Sequence, residues 1–217
     1  LLDHYLGKEA VRNIFYLRYA NPVVEQILSG NLIHHVEVTA FESQGLEGRA
    51  GYFEETGTFR DMFQSHMLMM ASLLTMNLVE KESSLIKSRS EALKQFYLPP
   101  ASNLDEIVLQ GQYDSYSSED GIEKNSRTNT FAALKLLSRN KDWQGVPFYL
   151  RSGKKLEKKE TRISITFIDG PDSCEGACAN CLDIILQGEA GMRLHLQTKK
   201  GGSKPEFRKL LLEDPLV

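Results

Sequence analysis

Three apolar stripes in the second half of this 217-residue chain most constrain its fold. Each stripe alternates apolar with polar residues, which is the period of a β-strand with one buried face. Turns at Gly170-Pro171 and between Gly188 and Gly191 separate the stripes, so neighbouring strands should pair in antiparallel fashion. The stripes are Ile163/Ile165/Phe167, Leu182/Ile184/Leu186 and Met192/Leu194/Leu196.

The first half is dominated by helical patterns. Apolar spacing predicts a helix over 7–19, and Asn21-Pro22 starts a second helix that runs to about Leu28. Alternation over 32–42 predicts a strand, and Gln44 to Glu55 is predicted as loop. The later predictions are a central helix from Thr58 to about Asn77 or Val79 and a short helix from Ser90 to Phe96.

The middle of the chain is less regular. Ile107 to Tyr113 is predicted as a strand, 114–127 as a polar, mobile surface loop, and 128–137 as a strand or a short helix. Trp143 to Leu150 leads into another strand, and the last twenty residues show no clear pattern. Helices early and strands late, without β–α–β alternation, predict an α+β fold with a largely antiparallel sheet and helices on one face.

Charge and composition narrow the function classes. The net charge is −3 with mixed signs, which argues against nucleic acid as a partner. No apolar run approaches the roughly 20 residues of a membrane span. Three cysteines in one short loop suit a reducing compartment, so we expect a cytoplasmic protein. The chain opens on LLDHYLGK without an initiator Met, and we expect it to be a fragment of a longer protein.

The stretch from Glu47 to Met70 places Asp61 and His66 behind a glycine-rich turn. Thr58-x-x-Asp61 fits a capping box, which would make Asp61 a helix cap. His66 lies on the apolar stripe, where a core histidine is the alternative to a catalytic base. Residues five apart point about 140° from each other on an ideal α-helix. A carboxylate partner for His66 would therefore come from elsewhere.

Two further groups offer anion-binding chemistry. Asp3, His4, Tyr5 and Lys8 stand at the start of the first helix, where free N–H groups and the helix dipole favour an anion. The alternative is a capped helix with solvated neighbours. A basic turn would supply a second side of the anion site, or be a solvated hairpin; its cations are Arg151, Lys154, Lys155, Lys158, Lys159 and Arg162.

The three cysteines, Cys174, Cys178 and Cys181, have a spacing that also serves iron–sulfur clusters. They lie in a turn between two strands and lack a fourth ligand. A zinc shared with His195 of the following strand is the alternative, but that residue alternates onto the polar face. We expect no metal site.

Taken together, several motifs resemble the C-terminal, substrate-binding half of the glucose-6-phosphate dehydrogenase family. The resemblance runs in register from residue 1 to about 198. The matching motifs are D-H-Y-L-G-K (3–8), E-G-R-x-G-Y-F-x-E (47–55), R-D-x-x-Q-x-H (60–66), G-Q-Y (111–113), T-F-A-A (130–133) and W-x-G-V-P-F-x-L-R-x-G-K-x-L (143–156).

The resemblance implies roles for individual residues. His66 would be the general base for the sugar's C1 hydroxyl, with Asp3 orienting its imidazole. His4, Tyr5, Lys8 and Lys159 would hold the phosphate of glucose 6-phosphate. The hexose hydroxyls would contact Glu42, Asp61 and Lys154, and Gln187 would also face the substrate.

The resemblance also implies what surrounds this chain. Residues 1–217 would form a single substrate-binding and dimerisation domain of a homodimer or dimer of dimers, with its C-terminal segment cut short. NADP would be bound mainly by a Rossmann domain outside this chain, since no G-x-G-x-x-G follows a strand here. A second, structural NADP site of some members should be absent, because Glu160, Ser164 and Ile185 replace its basic residues.

The implied reaction is the first step of the pentose phosphate pathway. We expect the fragment alone to lack dehydrogenase activity. The competing interpretation is a non-catalytic sugar-phosphate-binding or dimerisation domain.

Overall fold

The helices and strands follow the apolar periodicities of the chain, with several shifts in boundary. The computed structural model describes residues 9–170, 179–187, 189–201 and 206–215. The helical elements are α1 (Glu9–Ala20), α2 (Pro22–Ile27), α3 (Ala50–Thr58), a π-helix (Phe59–Met67), α4 (Leu68–Thr75) and α5 (Leu85–Leu93), with 3₁₀ turns at Glu82–Ser84, Leu104–Glu106, Tyr116–Ser118 and Lys141–Trp143. The strands are β1 (Ile33–Phe41), β2 (Phe96–Tyr97), β3 (Val108–Gly111), β4 (Phe131–Ser138), β5 (Phe148–Gly153), β6 (Glu160–Phe167), β7 (Cys181–Gln187), β8 (Gly191–Lys199) and β9 (Phe207–Pro215).

Within those described ranges, nine strands form one sheet in the order β2-β4-β5-β1-β6-β7-β8-β9, with β3 paired to β4. The pairings are antiparallel except for β1 with β5, which run parallel. The predicted α+β fold with a largely antiparallel sheet is confirmed.

The three alternating stripes of the sequence lie on one face of the sheet. Cross-strand pairing aligns Ile163 with Ile184 and Ile184 with Met192, and it aligns Ile165 with Leu182. The polar residues between them point to the opposite face, because successive side chains of a strand alternate.

Helices cover the apolar face of the sheet. Every residue of α4 from Met69 to Thr75 is buried, as expected for a helix that is apolar on all sides. The main hydrophobic core contains Met70 and Leu74 of α4 together with Val36 and Val38 of β1. It also includes residues of the apolar stripes of β6 and β7. This packing fixes the helices above the centre of the sheet.

The structure corrects three of the sequence predictions. Residues predicted as loop before Thr58 form α3 from Ala50 onward, and the predicted single central helix is divided into the π-helix and α4. The short helix begins earlier than predicted, at Leu85. The terminal stretch, in which the sequence shows no clear pattern, contributes β9 to the sheet. Residues 128–137, left open between strand and helix, contain β4.

The polar loop over 114–127 is anchored rather than solvated throughout. Tyr116 is fully buried, and its hydroxyl donates to Glu54 Oε1 of α3 at 2.5 Å. Ser126 Oγ donates to the same oxygen at 2.8 Å. Burial works against the charged form of Glu54, but these hydrogen bonds outweigh it and lower the pKa of the carboxyl. The loop is therefore fastened to α3 at two points.

Candidate functional site

The parallel pair of strands creates the edge on which the site is built. Because β1 and β5 run in the same direction, their carboxyl ends meet, and Glu42 and Lys154 follow them directly. The backbone N–H of Glu42 donates to Gly153 O at 2.9 Å, and Leu156 N–H donates to Glu42 O at 3.0 Å. We call this end of the sheet the site edge.

Two antiparallel strands bring further predicted residues to the site edge. The register pairs Phe41 with Glu160, so β6 begins where β1 ends and the exposed Lys159 stands just before it. The next strand, β7, ends at the same edge with Gln187, which pairs with Thr161. Thr161 Oγ1 donates to Gln187 Oε1 at 3.3 Å. Four predicted residues, Glu42, Lys154, Lys159 and Gln187, are thus gathered at one edge.

Lys154 forms the centre of an ion cluster at this edge. Its side chain is only 5% exposed and forms an ion pair with the Glu42 carboxylate. Its Nζ also lies 4.0 Å from Asp61 Oδ2 and 5.0 Å from the centroid of the Phe53 ring. A buried ammonium is costly unless carboxylates or an aromatic face compensate for lost water. For this residue the solvated-hairpin alternative is wrong.

Asp61 does not cap a helix. Its Oδ1 accepts a hydrogen bond from the Tyr52 hydroxyl at 3.2 Å. Asn129 supplies the cap instead, because its Oδ1 accepts from the backbone N–H of Thr58 at 2.8 Å, while the Thr58 hydroxyl donates to Asn129 O at 2.9 Å. The predicted capping box is therefore wrong, and the Asp61 carboxylate faces Lys154 and Tyr52.

The π-helix changes the relation between Asp61 and His66. At its end the N–H of Leu68 donates to the carbonyl of Phe63, five residues earlier, which is the π pattern. A helix with such hydrogen bonds has more residues per turn than an α-helix, so Asp61 and His66 lie closer to one side of it than α-helical spacing predicts. The separation of about 140° that an α-helix gives does not apply. His66 is 8% exposed, and the π-helix packs on β1 and β5.

The wall beside this cluster is α3, which sequence reasoning missed. Glu47 (φ 49°) and Gly48 (φ 79°) turn the chain through the left-handed region before α3 begins. Phe53 of α3 packs with Leu46 and Tyr116 in a small apolar cluster. The Tyr-Phe pair within E-G-R-x-G-Y-F was the available signal, but its glycines indicated loop rather than helix.

Several predicted residues lie outside the described part of the chain. They are Asp3, His4, Tyr5 and Lys8 of the predicted phosphate cradle, together with Cys174 and Cys178. Cys181 begins β7, and its Sγ lies 3.7 Å from Asp183 Oδ1. The other oxygen of Asp183 is 3.1 Å from His195 Nε2. In the described ranges, no group of three or more His, Cys, Asp or Glu residues is arranged to hold a metal ion.

The family resemblance implies that non-basic residues at three positions replace the basic residues that form a second, structural NADP site in some family members. Glu160 forms ion pairs with Lys158 and Arg162, the Ser164 hydroxyl donates to Asp183 Oδ1 at 2.5 Å, and Ile185 is buried. A carboxylate, a hydroxyl already bonded to a carboxylate, and an apolar side chain do not offer the cationic donors that a phosphate-bearing ligand needs.

None of the helices in the described ranges is both long enough and apolar enough to cross a bilayer.

The family model and similar proteins of known sequence point to one family. Residues 15–214 match the family described as "Glucose-6-phosphate dehydrogenase, C-terminal domain". Glucose-6-phosphate 1-dehydrogenase of Bacillus subtilis is 35% identical over 98% of the chain and 47% of its own length. The Chlamydia muridarum enzyme of the same name is 39% identical over 98% of the chain and 45% of its length. The chain spans about half the length of these relatives.

Solved structures agree in fold. Glucose-6-phosphate 1-dehydrogenase from Mycobacterium avium superposes with a TM-score of 0.88 at 27% identity, covering 99% of this chain and 48% of that one. A glucose-6-phosphate dehydrogenase in complex with its substrate glucose 6-phosphate gives a TM-score of 0.87 at 31% identity, covering 99% and 46%.

Proposed function

The chain belongs to the glucose-6-phosphate dehydrogenase family, and we propose that the full-length protein, in which it is the substrate-binding domain, oxidises glucose 6-phosphate at C1. The C1 hydroxyl loses its proton to a base and the C1 hydrogen leaves as hydride to a nicotinamide. The product is the 6-phosphoglucono-lactone, and the reaction is the first step of the pentose phosphate pathway.

One observation carries the proposal: a buried ammonium stands between two carboxylates at the site edge. Lys154 contacts Glu42 and Asp61 there. Charged donors and acceptors at fixed positions suit a ligand with several hydroxyls, because each hydroxyl both donates and accepts. In this proposal Glu42, Asp61 and Lys154 bind the hexose, and Gln187 contacts it from the end of β7.

His66 is the proposed general base. It lies on the same π-helix as Asp61, and this helix packs on β1 and β5. Burial of the imidazole restricts its orientation, which favours proton transfer along one direction. Asp3 is the proposed partner that orients the imidazole and stabilises the imidazolium form.

The phosphate of the substrate is assigned to polar and basic residues, of which Lys159 stands at the site edge. Lys159 is exposed next to Glu160 at the start of β6, free to reach a ligand beyond the edge. His4, Tyr5 and Lys8 complete this subsite in the proposal. An exposed Lys acts as a point charge on phosphate, which suits anchoring of the substrate rather than chemistry.

NADP is the proposed hydride acceptor, bound mainly by residues outside this chain. When bound, it supplies the two-electron oxidant of the reaction. The described residues do not fit it: no G-x-G-x-x-G follows a strand in them, and Glu160, Ser164 and Ile185 do not offer cations at the structural position. The residues of this chain therefore bind the sugar and accept its proton.

The test is replacement of His66 by Asn in the full-length protein, with NADP reduction followed at saturating glucose 6-phosphate. Loss of a general base lowers kcat by about 10²- to 10⁴-fold. The Michaelis constant for the sugar should change little, because binding is assigned to other residues.

The matched control is His195→Asn, which changes the same residue type on the opposite face of the sheet. It should retain the kcat of the wild type. Turnover of His66→Asn within about threefold of wild type overturns the role of His66. Sugar-phosphate binding by a wild-type protein that reduces neither NADP nor NAD supports the non-catalytic alternative instead.

Self-association and location complete the proposal. A homodimer or a dimer of such dimers is proposed from the family resemblance, and sedimentation of the full-length protein measures it. A cytoplasmic location is supported by one relative, the "cytoplasmic isoform" of Solanum tuberosum, which is 36% identical over 93% of the chain and 40% of its own length.

A further inference from the structure

The two carboxylate oxygens of Asp61 have different partners. Oδ1 accepts from the Tyr52 hydroxyl at 3.2 Å, whereas Oδ2 lies 4.0 Å from Lys154 Nζ. The terminal torsion of an aspartate is broad, so the contact of one oxygen with Lys154 leaves the plane of the carboxylate free to turn. The phenol selects one orientation of the carboxylate.

This contact exists because the helix is broken at Gly57. Tyr52 and Asp61 are nine residues apart, which on a continuous α-helix means about 13.5 Å along the axis and opposite sides. Gly57 has φ 55° and ψ −179° inside the helical stretch, a conformation that is essentially restricted to glycine. The break redirects the π-helix relative to α3, so that the two side chains meet.

The phenol is a donor at physiological pH. Partial desolvation and the neighbouring Asp61 carboxylate raise the pKa of Tyr52 above its ordinary value of 10.0. The hydroxyl therefore keeps its proton, and Oδ1 of Asp61 stays occupied by it. The lone pairs of Oδ2 remain directed to the side where Lys154 and Glu42 lie.

We propose that Tyr52 is a positioning residue of the sugar site: its hydroxyl holds one oxygen of Asp61 so that the other is presented, beside Lys154, to a hexose hydroxyl. The inference rests on the proposed function. Tyr52 is 53% exposed and acts through Asp61.

The first experiment is Tyr52→Phe in the full-length protein. The Michaelis constant for glucose 6-phosphate should rise about threefold to tenfold, the effect of one hydrogen bond to a charged group, with kcat within about twofold of wild type. The constant for NADP should not change. The matched control is Tyr19→Phe, at a tyrosine of α1 that is 49% exposed, and it should leave both constants unchanged.

The second experiment separates positioning from a general structural effect. Tyr52→Phe is combined with Asp61→Ala, and kcat/KM and calorimetric affinity for glucose 6-phosphate are measured for all four proteins. Since Tyr52 acts through Asp61, its replacement should have no further effect when Asp61 is absent.

Two outcomes overturn the inference alone. One is an unchanged Michaelis constant for Tyr52→Phe, including the case in which only the melting temperature falls. The other is an equal effect of Tyr52→Phe with and without Asp61. A wild-type protein that does not oxidise glucose 6-phosphate overturns the proposed function, and the inference with it.

Discussion

Lys154 and Lys158 stand in one basic turn, yet their side chains are 5% and 66% exposed. The spacing of the turn predicts a cluster of cations, and only the family resemblance gives Lys154 a role that Lys158 lacks. What separates them is position: Lys154 directly follows β5 and turns inward between Glu42 and Asp61, whereas Lys158 stays exposed and pairs with the largely buried carboxylate of Glu160.

Cys181 shows the effect of environment on a residue that the sequence marks as a candidate ligand. Burial and the nearby Asp183 carboxylate raise the pKa of its thiol from 9.0 to about 11. The thiolate, not the thiol, binds metals and reacts with alkylating agents. Below pH 9, the folded protein therefore has a smaller thiolate fraction at Cys181 than the unfolded chain has.

We predict slow alkylation of Cys181 by iodoacetamide. A two-unit rise in pKa lowers the thiolate fraction about 100-fold, and the greater nucleophilicity of the more basic thiolate recovers roughly tenfold of this. In a Cys174→Ser/Cys178→Ser background near pH 8, the folded protein should react about tenfold more slowly than the same protein in urea. The rate should rise with pH up to about 11. Equal rates in the folded and unfolded states contradict the prediction.

At the scale of elements, the break between α3 and the π-helix organises the site. Gly57 takes the positive φ, and Asn129 caps the helical segment that follows. A Cβ on Gly57 would lie 3.3 Å from Asn129 Oδ1 and 3.5 Å from Thr128 Cγ2. Both the backbone conformation and the space thus favour glycine.

Replacing Gly57 by Ala should lower the free energy of unfolding by about 1–3 kcal/mol, because alanine is strained at this φ and ψ. Chemical denaturation measures the loss. Gly51→Ala in the same helix is the control: no atom lies within 4 Å of its Cβ position, so the substitution should be neutral or stabilise by up to about 1 kcal/mol. Equal effects of the two substitutions would contradict a special role of the break.

Local sequence patterns predicted the strands whose residues alternate clearly. They failed where contacts between residues far apart in the sequence determine the local structure. The stripes over β6, β7 and β8 were sufficient because each strand has one buried face. The glycines around Arg49 suggested a loop, although Phe53 and Tyr116, far apart in sequence, pack together and support α3. The capping box failed because Asn129 provides the cap from 71 residues away. The π-helix has no simple sequence period, so Asp61 and His66 were assigned to the wrong relative orientation.

At the scale of the whole molecule, the burial of the strands is unequal across the width of the sheet. β1 lies between β5 and β6, and its Val36 and Val38 are fully buried. β9 pairs with β8 at one edge, and its Leu211 and Leu212 are 44% and 50% exposed. The resistance to local opening should therefore decrease from β1 towards β9.

Amide hydrogen exchange of the 217-residue chain, followed by peptide-resolved mass spectrometry, tests this gradient. Peptides of β1 should exchange only through global unfolding, and those of β9 at least about tenfold faster, since an edge strand opens locally. The peptides of β8 should be intermediate. Equal protection of β1 and β9 would contradict the prediction.

The pairing of β1 with β5 joins residues that the ribosome makes at very different times. Glu42 and Lys154 are 112 residues apart, so at 5–20 residues per second the ribosome completes β1 roughly 6–22 s before Lys154 is made. During that interval β1 has neither of its neighbours, because β5 and β6 are both later in the chain. The site edge can form only after the chain has been extended past Lys154, and a shorter nascent chain leaves β1 without its two neighbouring strands.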